Sequence, residues 1–279
     1  MILGYNTNGL AHHDPREAIE LLAEIGYRSV AITIDHQWLS PKAPDAQVAE
    51  IGNLLVANGM SCVLETGARF LLNPRRKHWP SLVESPEIAI HRVDLIKYAI
   101  RLAEKIGARC VSIWSGIKSP EIPVQTALDH LAANLEVILK TAESHGVEVG
   151  FEPEPGMFVD TMAQFRRLLK WVQHPRLKLT LDIGHLYCQG EVPLVDYIQQ
   201  WAAQIVNIHI EDMRAGVHEH LMFGDGEIYF PPVIQALIDA KYSGPLHVEL
   251  SRHSHDAANI ARRSFEFLSG LMRIDGQHE

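Results

Sequence analysis

The sequence predicts a single-domain α/β fold, a (β/α)8 TIM barrel that extends over residues 1–279. The first reason is a repeated unit, in which a helical pattern ends at a glycine and a short apolar strand follows. The second is that eight such strands alternate with helices. The third is length, because α/β barrels commonly use about 250 residues as one domain. A doubly wound sheet is the second choice, since no dinucleotide-binding fingerprint is present.

The repeated unit is clearest in the first half of the chain. Asp14, followed by Pro15, is suited to cap the first helix. Glycines end the helical patterns at Gly26, Gly59, Gly107 and Gly146. The longest predicted helix, about residues 86–106, has one apolar face and one polar face. The eight predicted strands end near Tyr5, Ile34, Glu65, Trp114, Glu152, Asp182, Ile210 and Glu249.

Composition disfavours several classes of protein. A formal net charge of −9 disfavours electrostatic binding to nucleic acid or to an anionic membrane. The apolar runs are too short for a membrane helix, and the first residues do not have the pattern of a signal peptide. Cys62, Cys110 and Cys188 are odd in number and widely spaced, so we expect reduced thiols rather than disulfides or a zinc ribbon. These features predict a cytoplasmic protein.

The last four predicted barrel strands lead into residues suited to bind a divalent metal. They are Glu152 in VEVGFEPEP, Asp182 in LKLTLDIGH, His209 in IVNIHIED and Glu249 in LHVELSRH. The carboxyl ends of barrel strands face one opening, so these residues can meet at one ion. This mainly oxygen-donor set favours Mn²⁺, with Mg²⁺, Co²⁺ and Zn²⁺ as alternatives. A structural salt bridge is an adequate explanation for one such residue, but it is a poor explanation for four of them at four consecutive strand ends. Glu211 or Asp212 is expected to orient His209.

Further residues near the same opening are candidates for substrate binding. They are His185, Trp114, Glu65, His220 and Arg252. His185 lies three positions after Asp182 and is predicted to donate a hydrogen bond to substrate. Metal ligation, or a hydrogen bond to one of the metal-binding residues, is the alternative. Trp114 can stack on a sugar, and Glu65 can pair with Arg69 or contact substrate. His220 and its neighbour His218 are either solvated or part of the site.

A basic cluster formed by Arg75, Arg76 and Lys77 has two interpretations. It is either a solvated loop or a contact with an anionic group of the substrate. A nucleic-acid-binding surface is a poorer explanation because the chain as a whole is acidic.

Together these motifs resemble the xylose isomerase-like barrel superfamily, which contains sugar phosphate isomerases and epimerases. The resemblance extends over nearly the whole chain and is clearest in GFEPEP, LTLDIGH, VNIHIED, GDGEIYFPPVIQAL and GPLHVEL. It implies that one divalent metal is bound by Glu152, Asp182, His209 and Glu249, and that His185 contacts substrate. It also implies that Glu152 and Glu249 move a proton between opposite faces of a substrate carbon. The ketohexose 3-epimerase branch has a further glutamate where this chain has Phe158.

We therefore expect a metal-dependent isomerase or epimerase of a sugar or sugar derivative, working through a metal-stabilised enediolate. A keto-sugar or inosose dehydratase or lyase shares the same first step and stays an alternative. A metal-dependent endonuclease-like phosphodiesterase is more distant. His218-Glu219-His220 resembles an Asp-His pair of endonuclease IV, but Glu65 and Trp114 replace two of its zinc-binding histidines. A non-catalytic sugar-binding barrel is the last alternative.

The expected partner is a small-molecule sugar or keto-sugar, without nucleic acid or membrane. Homo-oligomer formation is left open, because the apolar tail helix around Phe265–Leu271 can pack either on its own barrel or on a second copy.

Overall fold

The computed structural model describes residues 1–67 and 69–275, with side chains as far as residue 272, and contains a closed barrel of parallel strands. The barrel strands are β1 (Ile2–Asn6), β2 (Ser29–Thr33), β3 (Ser61–Glu65), β4 (Cys110–Ile113), β5 (Glu148–Phe151), β6 (Leu177–Asp182), β7 (Ile205–Ile210) and β10 (Pro245–Val248). β10 pairs with β7 and β1 and so closes the barrel. The short strands β8 (Asp212–Arg214) and β9 (Val217–Leu221) form an antiparallel hairpin outside it. The predicted (β/α)8 barrel is confirmed.

Helices connect the strands and cover the barrel. They are α1 (Pro15–Ile25), α2 (Asp45–Ala57), α3 (Pro86–Ile106), α4 (Val124–Ser144), α5 (Met162–Val172), α6 (Ile183–Cys188), α7 (Leu194–Trp201), α8 (Pro231–Asp239) and α9 (Ala257–Asp275). The predicted helix over 86–106 is α3, and α4 equals it at 21 residues. The extent of the domain over residues 1–279 stays a prediction, because 276–279 lie outside the described residues.

The ends of α1 follow the sequence signals. The Asp14 carboxylate accepts a hydrogen bond from the Arg16 backbone N–H at 2.9 Å, as an N-cap should. Gly26 ends the helix at a φ of 123°, and a Cβ there would lie 2.6 Å from the Phe265 ring. Phe265 also packs edge-on against Tyr27, with ring centroids 5.2 Å apart. The tail helix α9 therefore packs on its own barrel.

Several strands end one residue earlier than the sequence predicted. β4 ends at Ile113, β5 at Phe151 and β10 at Val248, so Trp114, Glu152 and Glu249 follow their strands. The sheet hydrogen bonding nevertheless continues, since the Glu152 N–H donates to the Ile113 carbonyl at 2.8 Å. This bond fixes the position of Glu152 at the barrel rim.

A polar layer crosses the barrel interior beneath that rim. The His247 ring lies 2.9 Å from Ser29 Oγ and 2.7 Å from Asn207 Oδ1, and all three residues are fully buried. Hydrogen bonding offsets the cost of burying these groups. Gly4 leaves room for the layer, because a Cβ there would overlap the His247 ring. The layer connects β1, β2, β7 and β10 below the candidate site.

The three cysteines are buried and free, as expected. Within the described residues, no helix combines the length and apolar character needed to cross a bilayer.

Candidate metal centre and active site

The four predicted metal ligands meet at the carboxyl-end opening of the barrel. Their donor atoms lie within 4.8 Å of one another. His209 Nδ1 is 2.9 Å from Glu152 Oε1, 2.9 Å from Glu249 Oε2 and 3.9 Å from Asp182 Oδ2. Strand pairing explains part of this arrangement, because Asp182 on β6 is the register partner of His209 on β7. The cluster is buried, with Glu249 the most accessible side chain at 15% exposure.

The chemistry of this cluster fits a divalent cation. Asp182 Oδ2 is buried and has no hydrogen-bond partner among the described residues, whereas Oδ1 accepts from the His185 N–H at 2.8 Å. Burial raises the pKa of Glu152 well above its usual value, because an uncompensated buried carboxylate is unfavourable. A divalent ion would compensate this cost, and one imidazole with three carboxylates is a donor set for Mn²⁺ or Mg²⁺.

The charges of the cluster also act on one another. Burial by itself lowers the pKa of His209, but Glu152, Glu249 and Glu65 raise it well above its usual value. Burial by itself raises the pKa of Glu249, yet the neighbouring His209 lowers it below the usual range. The two glutamates therefore have unlike environments although they contact the same ring nitrogen.

The opposite side of the His209 ring faces Glu65. His209 Nε2 is 3.0 Å from Glu65 Oε1, and the Asn207 amide donates to the same oxygen at 3.1 Å. A proton on Nε2 that is donated to Glu65 leaves the Nδ1 lone pair directed toward the three carboxylates. Glu65 was predicted to contact substrate or pair with Arg69. Its described hydrogen-bond partners are His209 and Asn207 rather than Arg69. Glu65 also lines the cavity, and its contact with substrate stays a prediction.

The expectation that Glu211 or Asp212 orients His209 is wrong. Glu211 Oε1 lies 3.7 Å from His220 Nδ1. Asp212 accepts hydrogen bonds from backbone N–H groups in the turn over 224–228, at 2.9–3.0 Å. β7 ends at Ile210, so the strand alternation used for the prediction does not continue to these residues.

His220 lies in the cavity wall, and its Nδ1 is close to the buried Glu211 carboxylate. Burial by itself lowers the pKa of His220, but the neighbouring Glu211 carboxylate raises it to about 10. Gly184, in the DIGH sequence, is required by this arrangement, because a Cβ there would overlap Glu211 Oε1. The Glu211 carboxylate has no hydrogen-bond partner among the described residues.

A cavity of about 420 Å³ opens above the metal ligands. The five predicted substrate-binding residues, His185, Trp114, Glu65, His220 and Arg252, all line it. Phe158 is not part of the lining and packs against the hydrophobic core. Sequence reasoning missed Asn8, which donates from Nδ2 to Glu249 Oε1 at 2.6 Å. The position of Asn8 just after β1, at the end of a predicted barrel strand, was the sequence signal that could have identified it.

Three histidines form a second cluster beside the first. His185, His218 and His220 have ring nitrogens within 4.8 Å of one another and could together hold a metal ion. His218 Nε2 lies 3.1 Å from His185 Nε2, and His185 Nε2 lies 3.5 Å from Asp182 Oδ2. Both His218 and His220 belong to the cavity wall, so the alternative of freely solvated loop histidines is wrong.

Known proteins resemble this chain in sequence and in fold. Fructoselysine 3-epimerase of Shigella flexneri is 26% identical over 187 residues, covering 66% of this chain and 67% of that protein. Inosose dehydratase of Lacticaseibacillus casei is 27% identical over 165 residues, covering 52% of this chain and 55% of that protein. The chain thus spans about two thirds and about half of the length of these curated relatives.

The fold comparison and the family comparison extend further along the chain. The crystal structure of a D-tagatose 3-epimerase-like protein superposes with a TM-score of 0.83 and 20% sequence identity, covering 99% of each chain. A family model described as xylose isomerase-like TIM barrel matches residues 19–271. The resemblance found in the sequence is confirmed: the chain belongs to the xylose isomerase-like TIM barrel family.

Proposed function

We propose that this protein is a divalent-metal-dependent isomerase or epimerase of a small sugar or sugar derivative. One observation carries the proposal. Glu152 after β5 and Glu249 after β10 each place a carboxylate oxygen 2.9 Å from the same nitrogen of His209, at the base of a closed-ended cavity. Two carboxylates that approach one point from different strands suit proton transfer on two faces of one substrate carbon. Sugar epimerases among the relatives support the same reaction class.

The proposed ligands are Glu152, Asp182, His209 and Glu249. A divalent ion bound by them would supply Lewis-acid stabilisation of negative charge developing on substrate oxygens. Asp182 and His209 act only in ligation. Glu152 takes a proton from one face of the substrate carbon, Glu249 returns a proton to the other, and the roles exchange with reaction direction. Mn²⁺ is the proposed ion, although Mg²⁺, Co²⁺ and Zn²⁺ suit the same donors.

The cavity wall orients the substrate for this transfer. His185, 5% exposed, can donate a hydrogen bond to a substrate oxygen close to Glu152, from which its Nδ1 lies 3.6 Å. The Trp114 indole forms an apolar part of the wall and can cover one face of a sugar. Glu65 contacts Nε2 of His209, on the side of the ring away from the other three carboxylates. We therefore assign Glu65 the role of fixing the His209 tautomer rather than binding substrate.

Deuterium incorporation from solvent tests the proposal directly. Mn²⁺-loaded protein incubated in deuterated water with a panel of ketoses, inososes and keto-glycosides should place deuterium at one carbon of its substrate. Glu249→Gln should slow this exchange at least about a hundredfold while some bound metal is retained, because one proton-transfer group is lost. Failure of the purified protein to bind any supplied divalent ion would sink the proposal.

A dehydratase is the second candidate, favoured by the similarity to inosose dehydratase. It begins with the same proton removal but expels water afterwards. Mass spectrometry of the product separates the two reactions, because only the dehydratase product is lighter than the substrate by one water molecule.

A further inference from the structure

The loop that joins β3 to α3 has a charge opposite to that of the whole chain. Between residues 66 and 85 it carries the basic residues Arg69, Arg75, Arg76 and Lys77 and the single acidic residue Glu84, whereas the chain has 34 acidic and 25 basic residues. Two of these basic residues, Arg69 and Lys77, line the same cavity as the carboxylate cluster. The proposed isomerase or epimerase function gives the loop no role.

A buried arginine holds the loop in place. Arg92 on α3 is 2% exposed, and its guanidinium donates to the carbonyl oxygens of Thr66 at 2.9 Å, His78 at 3.1 Å and Pro80 at 3.1 Å. The guanidinium carbon also lies 4.9 Å from the centre of the Trp114 ring. The start of the loop at Thr66 and its later part at His78 and Pro80 are thus tied to one side chain, which constrains the path of the loop.

That path divides the basic side chains into two groups. Arg69 and Lys77 line the cavity, while Arg75 does not, and Arg76 lies over the Trp79 ring at 4.4 Å. Within the described part of the chain, the ion pairs formed by arginine and lysine include neither Arg69 nor Lys77. Two cations therefore face the cavity without a carboxylate partner.

The cavity consequently contains charged groups of both signs. The carboxylates of Glu65, Glu152, Glu154 and Glu249 belong to strand ends or to the residues just after them, whereas Arg69 and Lys77 belong to the β3–α3 loop. An anionic group would be attracted to the two cations and repelled by any carboxylate that no cation compensates. A substrate with a neutral polyol end and an anionic end would therefore enter in one orientation only.

We propose that Arg69 and Lys77 form a subsite for the anionic group of an acidic sugar, either a phosphate ester or a carboxylate. The polyol end of this sugar lies against the metal ligands and the anionic end against the two cations. The proposal rests on the proposed sugar isomerase or epimerase function and narrows its substrate class.

Three ligands that differ only at C6 test the subsite: D-fructose, D-fructose 6-phosphate and D-fructuronate. Their dissociation constants are measured by calorimetry on Mn²⁺-loaded protein at low and at high salt. We expect at least one acid to bind about tenfold or more tightly than D-fructose, and this advantage to shrink in high salt. The stronger of the two acids identifies phosphate or carboxylate as the recognised group.

Matched variants locate the subsite. Arg69→Ala and Lys77→Ala should each remove most of the advantage of the acid, while Arg75→Ala, an exposed arginine of the same loop outside the cavity, should keep it. Equal affinity for all three ligands, or no binding of either acid, overturns the subsite. If a variant that combines Arg69→Ala and Lys77→Ala keeps the advantage, the anion is bound elsewhere, which also overturns the subsite. Solvent deuterium exchange is a separate measurement, so failure of the subsite leaves the proposed isomerase chemistry intact.

Discussion

His209 is the residue at which the contacts of the site converge. Its Nδ1 faces Glu152 and Glu249 at 2.9 Å, while its Nε2 faces Glu65 at 3.0 Å. A carboxylate behind a metal-binding histidine fixes the tautomer and increases the basicity of the ligating nitrogen. The buried pair of His209 and Glu65 is thus expected to control metal affinity without reaching the substrate.

Substitution of Glu65 tests this positioning role. Glu65→Gln should weaken Mn²⁺ binding by about ten- to a hundredfold, because an amide is a weaker acceptor for the Nε2 proton. Chelator competition measures the affinity. Glu154→Gln is a matched control, since Glu154 also lines the cavity but is not a hydrogen-bond partner of His209. Equal metal affinity of Glu65→Gln and the unaltered protein would contradict the role.

His78 provides a pH-dependent test at a residue that is not a proposed metal ligand. Burial lowers its pKa from 6.5 to about 4, and its Nδ1 lies 2.8 Å from the Gly67 carbonyl, to which the neutral ring can donate. Because the unfolded chain binds this proton more readily, the contribution of neutral His78 to stability is present above pH 6.5 and is lost as the pH falls through about 4.

The His78→Gln variant should therefore show a weaker decrease in the free energy of unfolding between pH 6.5 and about pH 4. Urea denaturation in the presence of a chelator measures this slope without a contribution from metal binding. An unchanged slope in the variant would show that the His78 proton does not affect folding.

At the scale of elements, Arg92 ties α3 to the β3–α3 loop. The three carbonyl oxygens that it satisfies belong to the loop, and the guanidinium itself is almost completely buried. A buried cation is stabilising only when its donors are paired, and here one fork-shaped group pairs with several oxygens at once. The orientation of Lys77 and the position of Trp114 depend on this anchor.

Replacing Arg92 should be costly. Arg92→Met should lower the free energy of unfolding by about 2–4 kcal/mol, because it leaves buried carbonyl groups without a donor. Arg101→Met is the control on the exposed side of the same helix and should change stability by less than about 0.5 kcal/mol. Urea denaturation compares the two variants, and equal effects would refute the anchoring role.

At the scale of the whole molecule, the proposed metal site is expected to couple metal binding to folding. Glu152, Asp182 and Glu249 come from elements that only the closed barrel brings together, so the unfolded chain cannot present them as one site. A divalent ion that binds this site is therefore expected to stabilise the folded state by mass action.

Removal of divalent metal should lower stability. At a free Mn²⁺ concentration about a hundred times the dissociation constant, the ion should add about 2.7 kcal/mol to the free energy of unfolding. Unfolding with and without a chelator measures the difference. Asp182→Asn should reduce the dependence on metal, and a variant that retains the full dependence would exclude Asp182 from the site.

The metal cluster could be predicted because it follows from topology. Parallel barrel strands share one carboxyl-end rim, so a suitable residue at each strand end reaches the same space whatever the details of the loops. The three carboxylates and His209 illustrate this, since one-residue errors in the strand ends did not separate them. Strand alternation was less informative beyond the end of β7, where Glu211 turns toward His220.

The sequence by itself determined the barrel, the cap at Asp14 and the series of candidate metal ligands at the strand ends, because these depend on local periodicity and on a shared rim. Only the tertiary structure decided that Glu65 lies behind His209 and that Asn8 reaches Glu249. It also showed that Lys77 lines the cavity whereas Arg75, two positions earlier in the chain, does not. Such assignments depend on the direction of side chains and the path of loops, which are set by contacts between residues far apart in the chain.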